Sequence, residues 1–140
     1  MTLTIESSGT LQAPNYSSNA NSYAFKLGGQ NSNNATLTLI NQGTIQGKIG
    51  VEEWNNGSST ITVKTFENKK NIDGHIYMGG YGTISIENFT NDGTITIPNY
   101  NNHNDGVIYF EGTTHIKTFK NTGTIQAPNG KNSIALKAKS

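Results

Sequence analysis

The chain has 140 residues, with 32% hydrophobic and 14% charged; that is room for one domain, less apolar than the about 45–50% of ordinary globular chains, and too poor in charge for a charge-rich disordered segment. A net charge of +1 excludes an electrostatic pull toward nucleic acid or anionic lipid, and the absence of arginine removes the preferred fork for phosphate and carboxylate. Cysteine is also absent, which leaves the compartment open, and no apolar run approaches the about 18 residues of a membrane-spanning helix.

Asn, Thr, Ser and Gly fill the balance, residues that suit turns and polar strand faces rather than helices. In chain order, the first unit carries Ile5-Glu6-Ser7-Ser8-Gly9-Thr10-Leu11, followed by Tyr23-Ala24-Phe25-Lys26-Leu27. In the second, the alternating run Leu37-Thr38-Leu39 enters Leu39-Ile40-Asn41-Gln42-Gly43-Thr44-Ile45, and Ile49-Gly50-Val51 follows. The third has Ile61-Thr62-Val63, then Phe66-Glu67-Asn68-Lys69-Lys70-Asn71-Ile72, then His75-Ile76-Tyr77-Met78. In the fourth, Ile84-Ser85-Ile86 leads to Phe89-Thr90-Asn91-Asp92-Gly93-Thr94-Ile95 and Val107-Ile108-Tyr109-Phe110. The fifth runs through Thr114-His115-Ile116, Phe119-Lys120-Asn121-Thr122-Gly123-Thr124-Ile125 and Ser133-Ile134-Ala135-Leu136.

Period-two alternation with β-branched residues reads as strand, so each unit holds about three short strands. Successive anchors Ile5, Leu39, Phe66, Phe89 and Phe119 lie 23 to 34 residues apart. Fixed strands with variable corners at that period describe the coils of a right-handed parallel β-helix: an all-β solenoid of about five coils, with residues 1–140 as a single segment. The anchors form one interior column. Leu11, Ile45, Ile72, Ile95 and Ile125 form a second, and Asn41, Asn68, Asn91 and Asn121 a third. Stacked asparagines bond to their neighbours above and below. Gly9, Gly43, Gly93 and Gly123 are expected at turns needing positive φ, and Lys70 marks a locally different turn. An antiparallel sandwich is the competing fold, with hairpin signals at Asn56-Gly57 and Asn129-Gly130.

The segments Ile86–Ile95 and Ile116–Ile125 resemble the repeats of autotransporter passenger domains, large surface proteins of Gram-negative bacteria secreted through their own C-terminal barrel. The resemblance extends from about Ala35 to Ala127. It implies a β-helix displayed at the cell surface, tethered to the outer membrane through a barrel this chain lacks. Many members of that family act as adhesins or self-associate. The shared motif is scaffold, so no functional residue carries over. Met1–Ile5 has no basic or long apolar segment of a signal peptide, so an exported form implies an internal piece of a longer protein.

Polysaccharide lyases and hydrolases also use β-helices, and they need carboxylates converging on one cleft. Asp73, Asp92 and Asp105 fall at different corners; Glu52-Glu53 and Glu111 follow third strands and meet only across intervening coils. His75, His103 and His115 do not converge, so no metal or other cofactor is expected, and the histidines are read as solvated or at ladder edges. Sequons at Asn15, Asn34, Asn56 and Asn88 are chance in so Asn- and Thr-rich a chain. Ice binding would need a regular Thr-x-Thr face, but Thr36-x-Thr38, Thr60-x-Thr62 and Thr94-x-Thr96 are assigned to non-equivalent strands. Binding is therefore expected on loops held by the scaffold. Pro14-Asn15-Tyr16 and Pro98-Asn99-Tyr100 open two related corner loops, so Tyr16, Asn19, Tyr100, Asn102, His103 and Asp105 are the candidate binding residues, with Trp54 at another corner.

The expected role is non-catalytic. Partners are a host-cell surface protein or glycan, or a second copy, with no nucleic acid and no membrane insertion by this segment; a polysaccharide-active enzyme is the alternative. Both ends of the stack expose unpaired strands unless Met1–Leu11 and Ile134–Ser140 cap them. The isolated chain is therefore expected to be poorly soluble or to associate end to end. A stable, concentration-independent monomer in sedimentation velocity, with fully protected end strands in hydrogen exchange, refutes this.

Overall fold

The computed structural model describes residues 1–16, 22–30, 33–55, 59–97, 106–128 and 135–139. Among these there are fifteen strands and no helix. They form three parallel five-stranded sheets. Sheet one stacks β1 (Thr2–Ile5), β4 (Ala35–Asn41), β7 (Thr60–Asn68), β10 (Thr83–Asn91) and β13 (Thr113–Asn121). Sheet two stacks β2 (Thr10–Gln12), β5 (Thr44–Gln46), β8 (Asn71–Asp73), β11 (Thr94–Thr96) and β14 (Thr124–Gln126). Sheet three stacks β3 (Tyr23–Gly29), β6 (Lys48–Glu53), β9 (Ile76–Gly80), β12 (Ile108–Glu111) and β15 (Leu136–Lys139). Each strand pairs with its equivalent one coil away, which makes the chain a parallel β-helix with three strands per coil.

Alternation decides which side chains fill the interior. Leu37, Leu39, Ile61, Val63, Phe66, Ile84, Ile86 and Phe89 of sheet one are buried against Ile45, Ile72 and Ile95 of sheet two and Ile49, Val51, Ile76, Met78, Ile108 and Phe110 of sheet three. Phe66 and Phe89 stack with ring centroids 4.5 Å apart, Phe89 and Phe119 at 4.9 Å, and Phe110 meets Phe89 edge-on at 6.2 Å. The apolar content is low because one narrow interior serves all three sheets, while most outward positions on sheets one and two are polar.

The asparagine column lies inside this core. Asn41, Asn68 and Asn91 are fully buried. The Nδ2 of Asn41 donates to Oδ1 of Asn68 at 2.8 Å, Asn68 to Asn91 at 2.7 Å and Asn91 to Asn121 at 2.7 Å. Each Nδ2 also donates to a carbonyl at the next coil's turn, Asn71, Thr94 and Thr124 in order.

Four expectations are corrected. Leu3, not Ile5, pairs with Leu39, and Ile5 stands opposite Asn41. The first turn is two residues longer, so Ile5 keeps its spacing to Leu11 while occupying the asparagine column. Gly43, Gly93 and Gly123 do not have positive φ; a Cβ on them would stand 2.3, 2.1 and 2.0 Å from the backbone oxygens of Gly9, Lys70 and Gly93. They are glycines because successive turns nest on one another. The fifth third-strand is β15, Leu136–Lys139, rather than Ser133–Leu136, and Leu136 pairs with Ile108. Thr36-x-Thr38 and Thr60-x-Thr62 lie on equivalent strands, with Thr36 paired to Thr62; only Thr94-x-Thr96 belongs to another sheet.

The ends differ from the middle. Phe119 and Leu136, both on the last coil, are 37% and 48% exposed.

A carboxamide column inside an apolar core ranks its own members. Replacing Asn91 with Ala strips partners from the buried Asn68 amide and from Asn121, at about 1–3 kcal/mol for a buried group left unpaired. The same change at the exposed Asn121 is expected to be milder. Urea unfolding of Asn91→Ala and Asn121→Ala checks the order, and equal losses contradict it.

Candidate functional site

The outward face of sheet three carries one continuous aromatic and ionic network through all five coils. Its frame is the register Lys26, Gly50, Tyr77, Tyr109, Lys137, one residue from each coil. A Cβ on Gly50 would lie 2.6 Å from the Tyr23 ring and 2.8 Å from Glu52, so its missing side chain is the space that lets Tyr23 lie across the sheet. The Tyr23 hydroxyl donates to Glu52 Oε1. Lys48 Nζ donates to the Tyr23 hydroxyl at 3.0 Å and lies 4.6 Å above its ring and 4.9 Å above that of Tyr77.

Glu52 is the hub. It is 3% exposed. Lys26 lies 3.0 Å from its Oε2 and Lys48 3.4 Å from its Oε1, and the Trp54 indole N–H donates to Oε2 at 3.0 Å. Burial alone pushes its carboxyl up; the hydrogen bonds from Trp54, Tyr23 and Lys26, with the charge of Lys48, outweigh that and hold it at about 2. Burial and the facing carboxylate push the Tyr23 hydroxyl up in turn.

Two coils on, Glu111 plays the second hub. Tyr77 donates to its Oε2 at 2.6 Å and Tyr109 to its Oε1 at 3.1 Å. Burial, then the hydrogen bond and charge of Glu111, raise the Tyr77 hydroxyl. Lys137 closes the network, 5.0 Å above the Tyr109 ring. Trp54 lies near-parallel to Tyr77, with centroids 6.2 Å apart, and Tyr81 meets Trp54 edge-on at 5.2 Å.

Of the residues singled out from sequence, Trp54 belongs to this network. Tyr16 does not: it follows β2, at the other end of the sheet-three strands, and its hydroxyl accepts from Gln46 Nε2 at 2.7 Å. Asn19, Tyr100, Asn102, His103 and Asp105 lie outside the described residues. His75 is buried beside Tyr77 rather than solvated, whereas His115 is exposed on β13. Asp73, on sheet two, has its carboxyl pushed up by burial. Among the described residues no three His, Asp or Glu side chains gather as metal ligands.

Sequence reasoning missed Tyr23, Lys26, Lys48, Tyr77, Tyr81, Tyr109 and Lys137, and treated Glu52 and Glu111 as separate. The signal was there in parity. Once Ile49, Ile76 and Ile108 are assigned inward, Lys48, Glu52, Tyr77, Tyr109 and Glu111 must all face outward on one sheet.

No family model matches the chain, and neither the curated proteins nor the solved structures contain a match.

The depressed carboxyl of Glu52 ties stability to pH. Its folded value of about 2 lies below its ordinary 4.5, so its stabilisation is complete above the latter and is lost as pH falls toward the former. Asp73 runs the other way: its raised carboxyl favours folding when protonated. The expected result is a urea midpoint that falls between about pH 4.5 and 2, a shallower fall in Glu52→Gln, and a gain at neutral pH in Asp73→Asn. An unchanged acid limb in Glu52→Gln contradicts the assignment.

Proposed function

We propose that this chain is a rigid, non-catalytic segment of a bacterial cell-surface β-helix, of the passenger type its repeats resemble, and that it works by binding. The observation that carries the reading is the network on sheet three. A lateral face that presents Trp54, Tyr81 and paired charges over the buried Tyr77 and Tyr109 has the composition of a recognition surface. The parallel stack beneath it supplies rigidity, so the face is presented without ordering cost. The partner is a host-cell surface glycan or protein, or a second copy of the chain.

A polysaccharide-active enzyme is the second reading. It is favoured by Glu52 and Glu111, which lie on one face two coils apart, roughly 9–10 Å at the strand spacing. Inverting glycosidases separate their carboxylates by about 6.5–9.5 Å. The chemistry of Glu52 argues against it. Glu52, bound by two lysines and held at about 2, is too weak a base and far too strong an acid for proton transfer near neutral pH. Asp73 lies on sheet two and Asp92 at the corner after β10, so neither joins the pair.

A panel of host-type glycans and of bacterial and plant polysaccharides, scored for both retention and chain cleavage, separates the readings. Retention without cleavage is expected. Cleavage that disappears in Glu111→Gln establishes the enzyme and overturns the binding reading.

A further inference from the structure

Four large hydrophobic side chains are exposed among the described residues: Met1, Tyr81, Phe119 and Leu136. Three of them belong to the first or last coil, where no neighbouring coil covers them. Tyr81 does not. It sits between β9 and β10, in the middle coil, and is 69% exposed. Stack ends do not account for it.

The corner that carries Tyr81 is firmly held. Its backbone N–H donates to the Glu53 carbonyl at 2.6 Å, and that of Gly82 donates to the same oxygen at 3.1 Å. The Thr83 N–H donates to the Ser59 carbonyl at 3.1 Å. Trp54 is fixed as well, through its indole bond to Glu52. The two rings stand at 81° to one another, so they form a right-angled corner whose walls are set before any ligand arrives.

We infer that Trp54 and Tyr81 form a stacking subsite for one pyranose unit of a neutral polysaccharide. This rests on the binding reading above. A pyranose has an apolar C–H face that lies against an aromatic ring and a rim of hydroxyls that need hydrogen-bonding partners. The ring walls supply the first requirement. Lys26, whose side chain is 40% exposed, supplies a donor near Trp54, and the half-buried Glu111 carboxylate lies beyond Tyr77 as an acceptor. The charge is nearly balanced locally. Lys26 and Lys48 pair with Glu52, and Lys137 lies over the tyrosine bound to Glu111. Three lysines against two carboxylates leave an excess of only one positive charge, too little to draw a polyanion, which is why a neutral sugar is the fitting class. Tyr77 and Tyr109 are buried, so the aromatic surface offered to a ligand is one unit long rather than a track.

Trp54 is the only tryptophan in the chain, so its emission reports this corner alone. Cellohexaose, laminarihexaose and maltohexaose are titrated into the full chain, with oligogalacturonate and chitosan hexamer as charged controls. At least one neutral hexaose is expected to shift the emission saturably. Tyr81→Ala is expected to weaken that binding by about tenfold, the effect of losing an aromatic contact of about 1.4 kcal/mol, with unchanged thermal unfolding. Tyr16→Ala is expected to leave it unaltered. The site is overturned if no neutral hexaose moves the emission, if only the charged oligomers do, or if Tyr81→Ala binds as tightly as the parent. Retention on the glycan panel together with a silent Trp54 removes this subsite and leaves the adhesin reading standing. Cleavage on the panel removes that reading, while the Tyr81→Ala comparison still decides the subsite.

Discussion

A primary amide buried in hydrocarbon must find partners or unfold its surroundings, and this protein puts a column of them through its core. Asn41, Asn68, Asn91 and Asn121 meet that demand only in one alignment, each carboxamide one coil above the last. Slipping a strand by one residue would turn the carboxamides outward and leave the column broken. Hydrophobic columns alone are more forgiving, since Leu and Phe substitute for one another across Leu3, Leu39 and Phe66. The amides therefore supply register, and the aromatic and aliphatic columns supply most of the driving force.

Register at the core decides chemistry at the surface. The positions that face outward on sheet three are fixed by those that face inward, and only in this alignment do Lys48, Tyr23 and Glu52 meet, or Tyr77 and Glu111. A charge network on the wall of a solenoid thus inherits its precision from buried side chains on another sheet. It also explains how Glu52 can be nearly inaccessible yet ionised. Its stabilising partners come from two adjacent coils, which no single loop could bring together.

Much of this was legible in the sequence. The constant spacing from Leu39 to Ile45, from Phe89 to Ile95 and from Phe119 to Ile125 marks strand, turn and strand, and the structure has each of them. The error of register, Ile5 for Leu3, is a slip of two residues. Alternation is blind to such slips, because the shifted residue faces the same way; only the pairing partner reveals them. The turn glycines were found, but for the wrong reason, since close stacking of backbones between coils is not a property of any one repeat. The sheet-three network was hidden for a related cause. Its positions do not repeat: a lysine, a glycine, two tyrosines and a lysine occupy one column, so no motif announces it.

Ile5 beneath Asn41 gives the stack a direction. Asn41 has its Oδ1 satisfied by the Gly43 N–H of its own turn at 3.2 Å, so the coil below needs no amide and an aliphatic side chain serves. Above Asn41, the carboxamides of Asn68 and Asn91 each receive from one side and give to the other. A copy of an asparagine coil inserted between Asn68 and Asn91 would meet an amide at both of its faces and leave no group unpaired, whereas a copy of the Ile5 coil placed there would set the Asn68 donor against aliphatic methyls. The molecule is thus built like a chain with one blank terminal link: its length can change by whole asparagine coils, while the Ile5 coil fits only at the foot.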